Sequence, residues 1–154
     1  MGQSIPSQYT PDAEAFFNRV REACPSFVRV DDDEAEEWQD DGGPLGYIRV
    51  SALARHLTQL AEHGEWGQVQ VVLDDAERTM TSADAYTSEL IVIGLFEDLQ
   101  NDCLRSEGRV RLVDVRELLG PSSKTAWDDL MRLWHGPAHE ARTFLPPGSL
   151  PDGE

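Results

Sequence analysis

The sequence predicts an all-α fold: about six helices packed as antiparallel helical hairpins around a central apolar helix over residues 82–104. Three observations predict it. Apolar residues recur three and four apart in successive segments, helix-start and helix-stop residues bracket those segments, and the most apolar run of the chain lies in a proline-free stretch from Ser82 to Leu104. With 154 residues the chain suits one domain with one core. Residues 10–136 are expected to form it, with 1–9 an N-terminal extension and 137–154 an irregular Pro/Gly-rich tail.

Thr10-Pro11-Asp12 starts the first helix: a hydroxyl to cap, a proline whose missing N–H costs nothing at the first position, and an acid that complements the helix dipole. Phe16, Phe17 and Val20 follow at helical spacing, and Cys24-Pro25 ends the segment because a residue before proline is pushed out of the α region. From Gly46, Val50, Leu53, Leu57 and Leu60 form a second stripe, with Gly64 where a left-handed C-terminal cap belongs. Val69, Val72, Leu73, Ala76 and Met80 form a third, and the short connection makes an antiparallel hairpin of the two.

Ser82 can cap the fourth helix, which contains Leu90-Ile91-Val92-Ile93-Gly94-Leu95-Phe96. Periodicity alone does not separate this run from a buried strand, but its proline-free polar flanks favour a long helix buried on most sides. Leu112, Val115, Leu118 and Leu119 precede Gly120-Pro121, with a short extended entry through Arg109–Arg111 left open. After a Ser122-Ser123 cap, Trp127, Leu130, Met131 and Trp134 make the last stripe. Pro137 is expected to stop it.

Between the first two of these helices lies Asp31 to Asp41, with eight acids in eleven positions, closed by Gly42-Gly43-Pro44. Such density repels itself, and Gly-Gly-Pro blocks regular structure, so residues 31–44 are expected to form a mobile or partly ordered acidic loop.

Twenty-nine acidic against 13 basic side chains give a formal charge of −16. That surface repels the phosphates of nucleic acid and anionic lipid, which excludes both as expected partners. No apolar run approaches the roughly 18 residues needed to cross a bilayer. Met1 to Ser7 lacks the basic and apolar regions of a secretory signal, and the two cysteines, Cys24 and Cys103, lack metal or redox spacing. A cytoplasmic location is expected, with the cysteines in the core.

Catalytic and metal chemistry find little support. His56 and His63 are two turns apart, roughly 10 Å, too far to share one ion. His135 and His139 have i, i+4 spacing but are separated by Pro137. A calcium loop read from Asp31 meets Ala35 at position five and Gly42 at position twelve, where oxygen ligands are required. Asp74-Asp75, Glu97-Asp98 and Asp128-Asp129 are paired carboxylates with no nucleophile or histidine beside them, and in so acidic a chain they read as solvated faces. No phosphate loop, nucleophile elbow or HExxH occurs. The expectation is a protein that is not an enzyme and uses no metal or cofactor.

Binding is better served. Asp31, Asp32, Asp33, Glu34, Glu36, Glu37, Asp40 and Asp41 surround Trp38. Aromatics anchor interface centres and surrounding carboxylates steer a basic partner, so these nine residues are the candidate partner-binding set. Trp38 reads equally as a pin holding the loop to the body. Glu97, Gln100 and Asn101 follow the apolar run and read first as groups that hydrogen-bond loop backbones between neighbouring helices, second as a contact for a ligand or partner.

The stretch from Gly64-Glu65 through Leu73-Asp74, Ala76-Glu77 and Glu89 to Leu95-Phe96-Glu97-Asp98-Leu99-Gln100-Asn101 resembles a family of small, all-helical, largely uncharacterised bacterial proteins, immunity-like and associated with polymorphic toxin systems. The likeness covers the layout of residues 10–135 and is most specific around the fourth helix; the acidic segment and the tail lie outside it. It implies an immunity-type protein that neutralises a cognate toxin by stoichiometric binding, the toxin being basic where it meets phosphate. The alternative, from a different class, is a non-inhibitory helical scaffold or adaptor in a bacterial regulatory complex. Net charge opposes self-association, which favours a monomer, although four tryptophans can also build a dimer patch.

Overall fold

The computed structural model describes residues 10–144, with side chains as far as Trp134. Residues 1–9 and 145–154, the expected N-terminal extension and most of the expected tail, lie outside the described residues. The described chain is all-helical: α1 (Pro11–Ala23), α2 (Ser26–Glu37), a 3₁₀ turn (Gln39–Asp41), α3 (Gly46–Glu62), α4 (Trp66–Ser82), α5 (Ala85–Glu89, a π segment Leu90–Phe96, then Glu97–Arg105), α6 (Leu112–Glu117) and α7 (Pro121–Phe144).

Local chemistry sets most boundaries. Thr10 caps α1, its Oγ1 accepting from the Ala13 N–H at 3.2 Å, and Cys24-Pro25 separates α1 from α2. The α3–α4 hairpin closes through Gly64 at φ +78°, with the Glu65 N–H returning to the Leu60 carbonyl at 2.8 Å. That reach past a left-handed glycine satisfies carbonyls that the helix end leaves open. At the start of α5 the cap is Asp84 rather than Ser82: Asp84 Oδ1 accepts from the Thr87 N–H at 2.8 Å, while Ser82 closes α4 with its hydroxyl on the Arg78 carbonyl. The α7 cap comes from another helix. Glu77 of α4 accepts from the N–H groups of Ser122 and Ser123 at 3.2 and 2.8 Å and from the Ser123 hydroxyl at 2.6 Å.

Helix α5 is the axis of the fold, packed against α1, α3, α4 and α7. In its π segment Leu90, Ile91, Gly94, Leu95 and Phe96 are all buried, a wider apolar face than an α-helix of that length offers, which is why it can touch neighbours on several sides. Phe96 meets Trp127 of α7 edge-on at 6.3 Å. Phe16, Phe17, Phe27, Leu53, Leu57, Leu73 and Leu99 are also fully buried, each worth about 1.5–3 kcal/mol of transfer free energy. Both cysteines are free and buried, and burial, followed by the charges of Asp102 and Asp114, pushes the Cys103 thiol up to about 12. Trp134, expected on the core stripe of α7, is instead 53% exposed. Among the described residues no helix is long and apolar enough to cross a membrane.

Two further sequence expectations fail. Residues 31–37 are the second half of helix α2, not a loop, because Asp31 is drawn into the protein by arginines from two other helices. Residues 137–144 continue α7 through Pro137. A proline removes one helical rung, to the carbonyl four residues back; here that is the carbonyl of Leu133, a residue that is 69% exposed.

Candidate functional site

Helix α2 has poor local prospects. Pro25 offers no side-chain cap, the first turn holds no acid, the last turn holds no base, and the carboxylates crowd toward the C-terminal end, where the dipole disfavours them. It forms because one face is anchored. Phe27 and Asp31, one turn apart, are both buried. Asp31 Oδ1 accepts from Arg49 Nε at 2.9 Å and Oδ2 from Arg49 Nη2 at 2.6 Å, a bidentate pair with α3. The same Oδ2 accepts from Arg21 Nη1 of α1 at 2.9 Å, and that nitrogen also donates to Asp32 Oδ1 at 2.9 Å. The hydrogen bonds to Asp31 and then Asp32 raise the Arg21 pKa above its ordinary value. Arg49 in turn stacks over the Phe17 ring at 4.0 Å. One buried carboxylate thus ties three helices together.

This divides the sequence-predicted set. Asp31 is structural and unavailable to a partner, and Asp32 is partly neutralised by Arg21. Asp33, Glu34, Glu36, Glu37, Asp40 and Asp41 make no side-chain hydrogen bond or ion pair among the described residues, and all but the half-buried Glu34 are exposed. They form a ridge along α2 and the 3₁₀ turn. Trp38 ends α2, half-buried, its carbonyl accepting from the N–H groups of Asp41 and Gly43 at 2.9 Å each. It does not belong to the main hydrophobic core.

Beside the ridge is a cleft of about 400 Å³. Its walls are Glu14, Asn18 and Arg21 of α1, Asp31, Asp32 and Ala35 of α2, the Gly42-Gly43-Pro44 connection, and Arg49. Gly42 and Gly43 have φ of +87° and +98°, two successive left-handed positions that only glycine adopts without cost, and they fold the chain back along the cleft. Both Asp31 oxygens and Asp32 Oδ1 are engaged, so the carboxylate oxygens left without a partner in the lining are those of Glu14 and Asp32 Oδ2. Along these walls the carboxylates of Glu14, Asp31 and Asp32 stand with the guanidinium groups of Arg21 and Arg49. The sequence reading missed Glu14, Asn18, Arg21 and Arg49; the available signal was that eight adjacent acids order only if basic residues from elsewhere reach them.

The second predicted set is split as well. Gln100 is fully buried and its Nε2 donates to the Trp127 carbonyl at 2.9 Å, a backbone group of helix α7 and not of a loop. Glu97 and Asn101 are only partly buried and make no side-chain hydrogen bond among the described residues. Of the paired carboxylates, Asp74 is exposed, whereas Asp75 is buried and bridged by Arg19 Nε at 2.9 Å. His56 meets the Ser26 hydroxyl at 2.8 Å, and burial lowers its pKa. Among the described residues no three His, Cys, Asp or Glu side chains gather as a metal site.

The model of a domain of unknown function, DUF7674, matches residues 17–135. The chain belongs to that family. The matched span includes α2, the ridge and most of the cleft. No curated protein and no solved structure matches the chain.

Proposed function

We propose that this protein is a non-catalytic, cytoplasmic antagonist of the immunity type, which neutralises a cognate toxin by stoichiometric binding to a basic face of it. The observation that carries the reading is the ridge: six carboxylates without a partner of their own, held on one helix and turn beside a cleft lined by Glu14 and Asp32. A flexible acidic tail would lose ordering entropy on binding; a ridge fixed by the Asp31–Arg49 pair loses little. Like-signed charge on one face accelerates encounter with a basic protein, and shape at the cleft and Trp38 supplies selectivity. The resemblance around α5 is what makes a toxin the partner, and a toxin that acts on nucleic acid has the required basic surface.

Co-expression tests the proposal. Cells producing a C-terminal toxin domain encoded beside this chain should survive when the chain is supplied and form a one-to-one complex with it. Cell death despite normal expression of both proteins would overturn the immunity reading. Complex formation without rescue would support a scaffold or adaptor instead.

A further inference from the structure

The ridge does not use the exposed face of α5, where Glu97 and Asn101 remain without partners. Residues Glu89, Ile93 and Glu97, four apart, come to the surface along this face, while Leu90, Ile91, Gly94, Leu95 and Phe96 turn inward. Ile93 is 39% exposed. Beside it lies Tyr47 of α3, also 39% exposed, packed over Gly94 so closely that a Cβ there would sit 3.2 Å from its ring and 2.8 Å from Val50. Leu45, exposed, stands two residues before Tyr47. The result is an apolar patch with a carboxylate at each end.

Those carboxylates are positioned for a cation. Neither Glu89 nor Glu97 makes a side-chain hydrogen bond or ion pair among the described residues. Glu89 and Glu97 stand about one turn to either side of Ile93 on α5, and burial, then their charges, pushes the Tyr47 phenol up. The patch is also where α5 adopts π winding, a feature found most often at functional positions.

We propose that the Glu89–Ile93–Glu97 stripe, with Tyr47 beside it, is a second docking surface, and that its occupant is a basic amphipathic helix of a partner protein. A helix laid alongside α5 presents residues at the same pitch, so an apolar residue on Ile93 and Tyr47 brings a lysine or arginine one turn away on either side to Glu89 and Glu97. The apolar contact supplies affinity and the two carboxylates fix register. The surface is independent of the α2 ridge and of whether the partner is a toxin.

The test uses the full chain and a labelled helical peptide of roughly 18 residues, built from lysine, alanine and leucine with leucines along one face flanked by lysines. At about 0.15 M salt, where distant charges are screened, the wild type should bind saturably. Ile93→Asp should weaken binding roughly tenfold or more, as loss of a central anchor does, and Glu97→Gln, which leaves the fold's contacts in place, should weaken it by a smaller factor. An Asp33→Asn, Glu36→Gln, Glu37→Gln variant should bind within about twofold of wild type, since its charges lie on the other surface. Thermal unfolding of each variant separates lost binding from lost fold. Absence of saturable binding, equal binding of a peptide whose leucines are replaced by glutamine, or loss confined to the ridge variant would each overturn the proposal. A wild-type dimer abolished by Ile93→Asp would assign the face to a second copy and overturn it too. The peptide result stands whether or not toxin rescue succeeds.

Discussion

Asp31 and Arg49 form a bidentate ion pair between α2 and α3, with N–O distances of 2.9 and 2.6 Å and side-chain exposures of only 4% and 12%. Removing one partner of such a pair strands the other charge out of water. Asp31→Ala should therefore destabilise the protein by about 3–5 kcal/mol, read as a shifted midpoint in urea unfolding. Asp33→Ala, two residues on and exposed, should stay within about 0.5 kcal/mol of wild type. Equal effects would show that the acidic segment is not divided into a structural and a surface part.

Glu77 spans two helices to cap α7 at Ser123, and the chain approaches so closely there that a Cβ on Gly120 would lie 2.6 Å from the Glu77 carboxyl carbon. Burial alone would raise the Glu77 pKa, but the hydrogen bonds from Ser123 and Ser122 outweigh it and hold the carboxyl below its ordinary 4.5. Its contribution is complete above that value and lost as pH falls through the lowered folded one. Glu77→Ala should cost about 1–2 kcal/mol at neutral pH, as for other lost caps, and the gap from wild type should close in acid. A gap independent of pH would assign the loss to packing.

Asp98 behaves oppositely. Burial raises its pKa above 3.8 despite a 2.6 Å hydrogen bond from the Ser51 hydroxyl, with Asp102 adding to the rise. The folded state thus binds this proton more readily than the unfolded chain, so ionised Asp98 opposes folding at neutral pH and the penalty is relieved as pH falls through the raised folded value. Asp98→Asn keeps an acceptor for Ser51 and removes the charge. It should stabilise the protein at pH 7, with an advantage over wild type that shrinks in mild acid; paired denaturation curves measure it.

The ridge and Trp38 should separate kinetically. Neutralising Asp33, Glu36, Glu37 and Asp40 to their amides should slow association with a basic partner and flatten its dependence on salt, with little change in dissociation. Trp38→Ala should chiefly speed dissociation, as loss of an aromatic anchor does. Surface plasmon resonance at several salt concentrations distinguishes them, and an unchanged dissociation rate would leave Trp38 as a pin for the 3₁₀ turn.

What the sequence made legible was mostly local. Thr10-Pro11, Cys24-Pro25 and Gly64 mark helix ends through the backbone conformations they allow, and the stripes of α1, α3 and α4 follow from side chains that must all reach one core. The acidic segment misled because its own residues argue against a helix; the decisive groups, Arg21 and Arg49, lie ten residues before and 18 after Asp31. The same holds for α7, whose cap is Glu77, 46 residues before Ser123. Of the candidate site, the acids were readable from composition, but the cleft was not, since its walls come from three helices and a connection, the helices tied together by one buried carboxylate. Gln100 was correctly placed between helices, while the π winding around Gly94 left no mark in the apolar pattern.

That winding sets a rotational phase. Each residue turns an α-helix by about 100°, so a chain one residue shorter between Glu89 and Glu97 would carry the second half of α5 turned by about that angle. Gln100 would swing away from the Trp127 carbonyl, and Cys103 would leave the core for solvent. The wide turns act as gearing between two halves of one rod: one half is clamped to α3 where Gly94 meets Val50 and Tyr47, and the other is indexed to α7 by a single amide. The number of residues in Leu90–Phe96 is therefore as binding a constraint on this protein as their hydrophobicity.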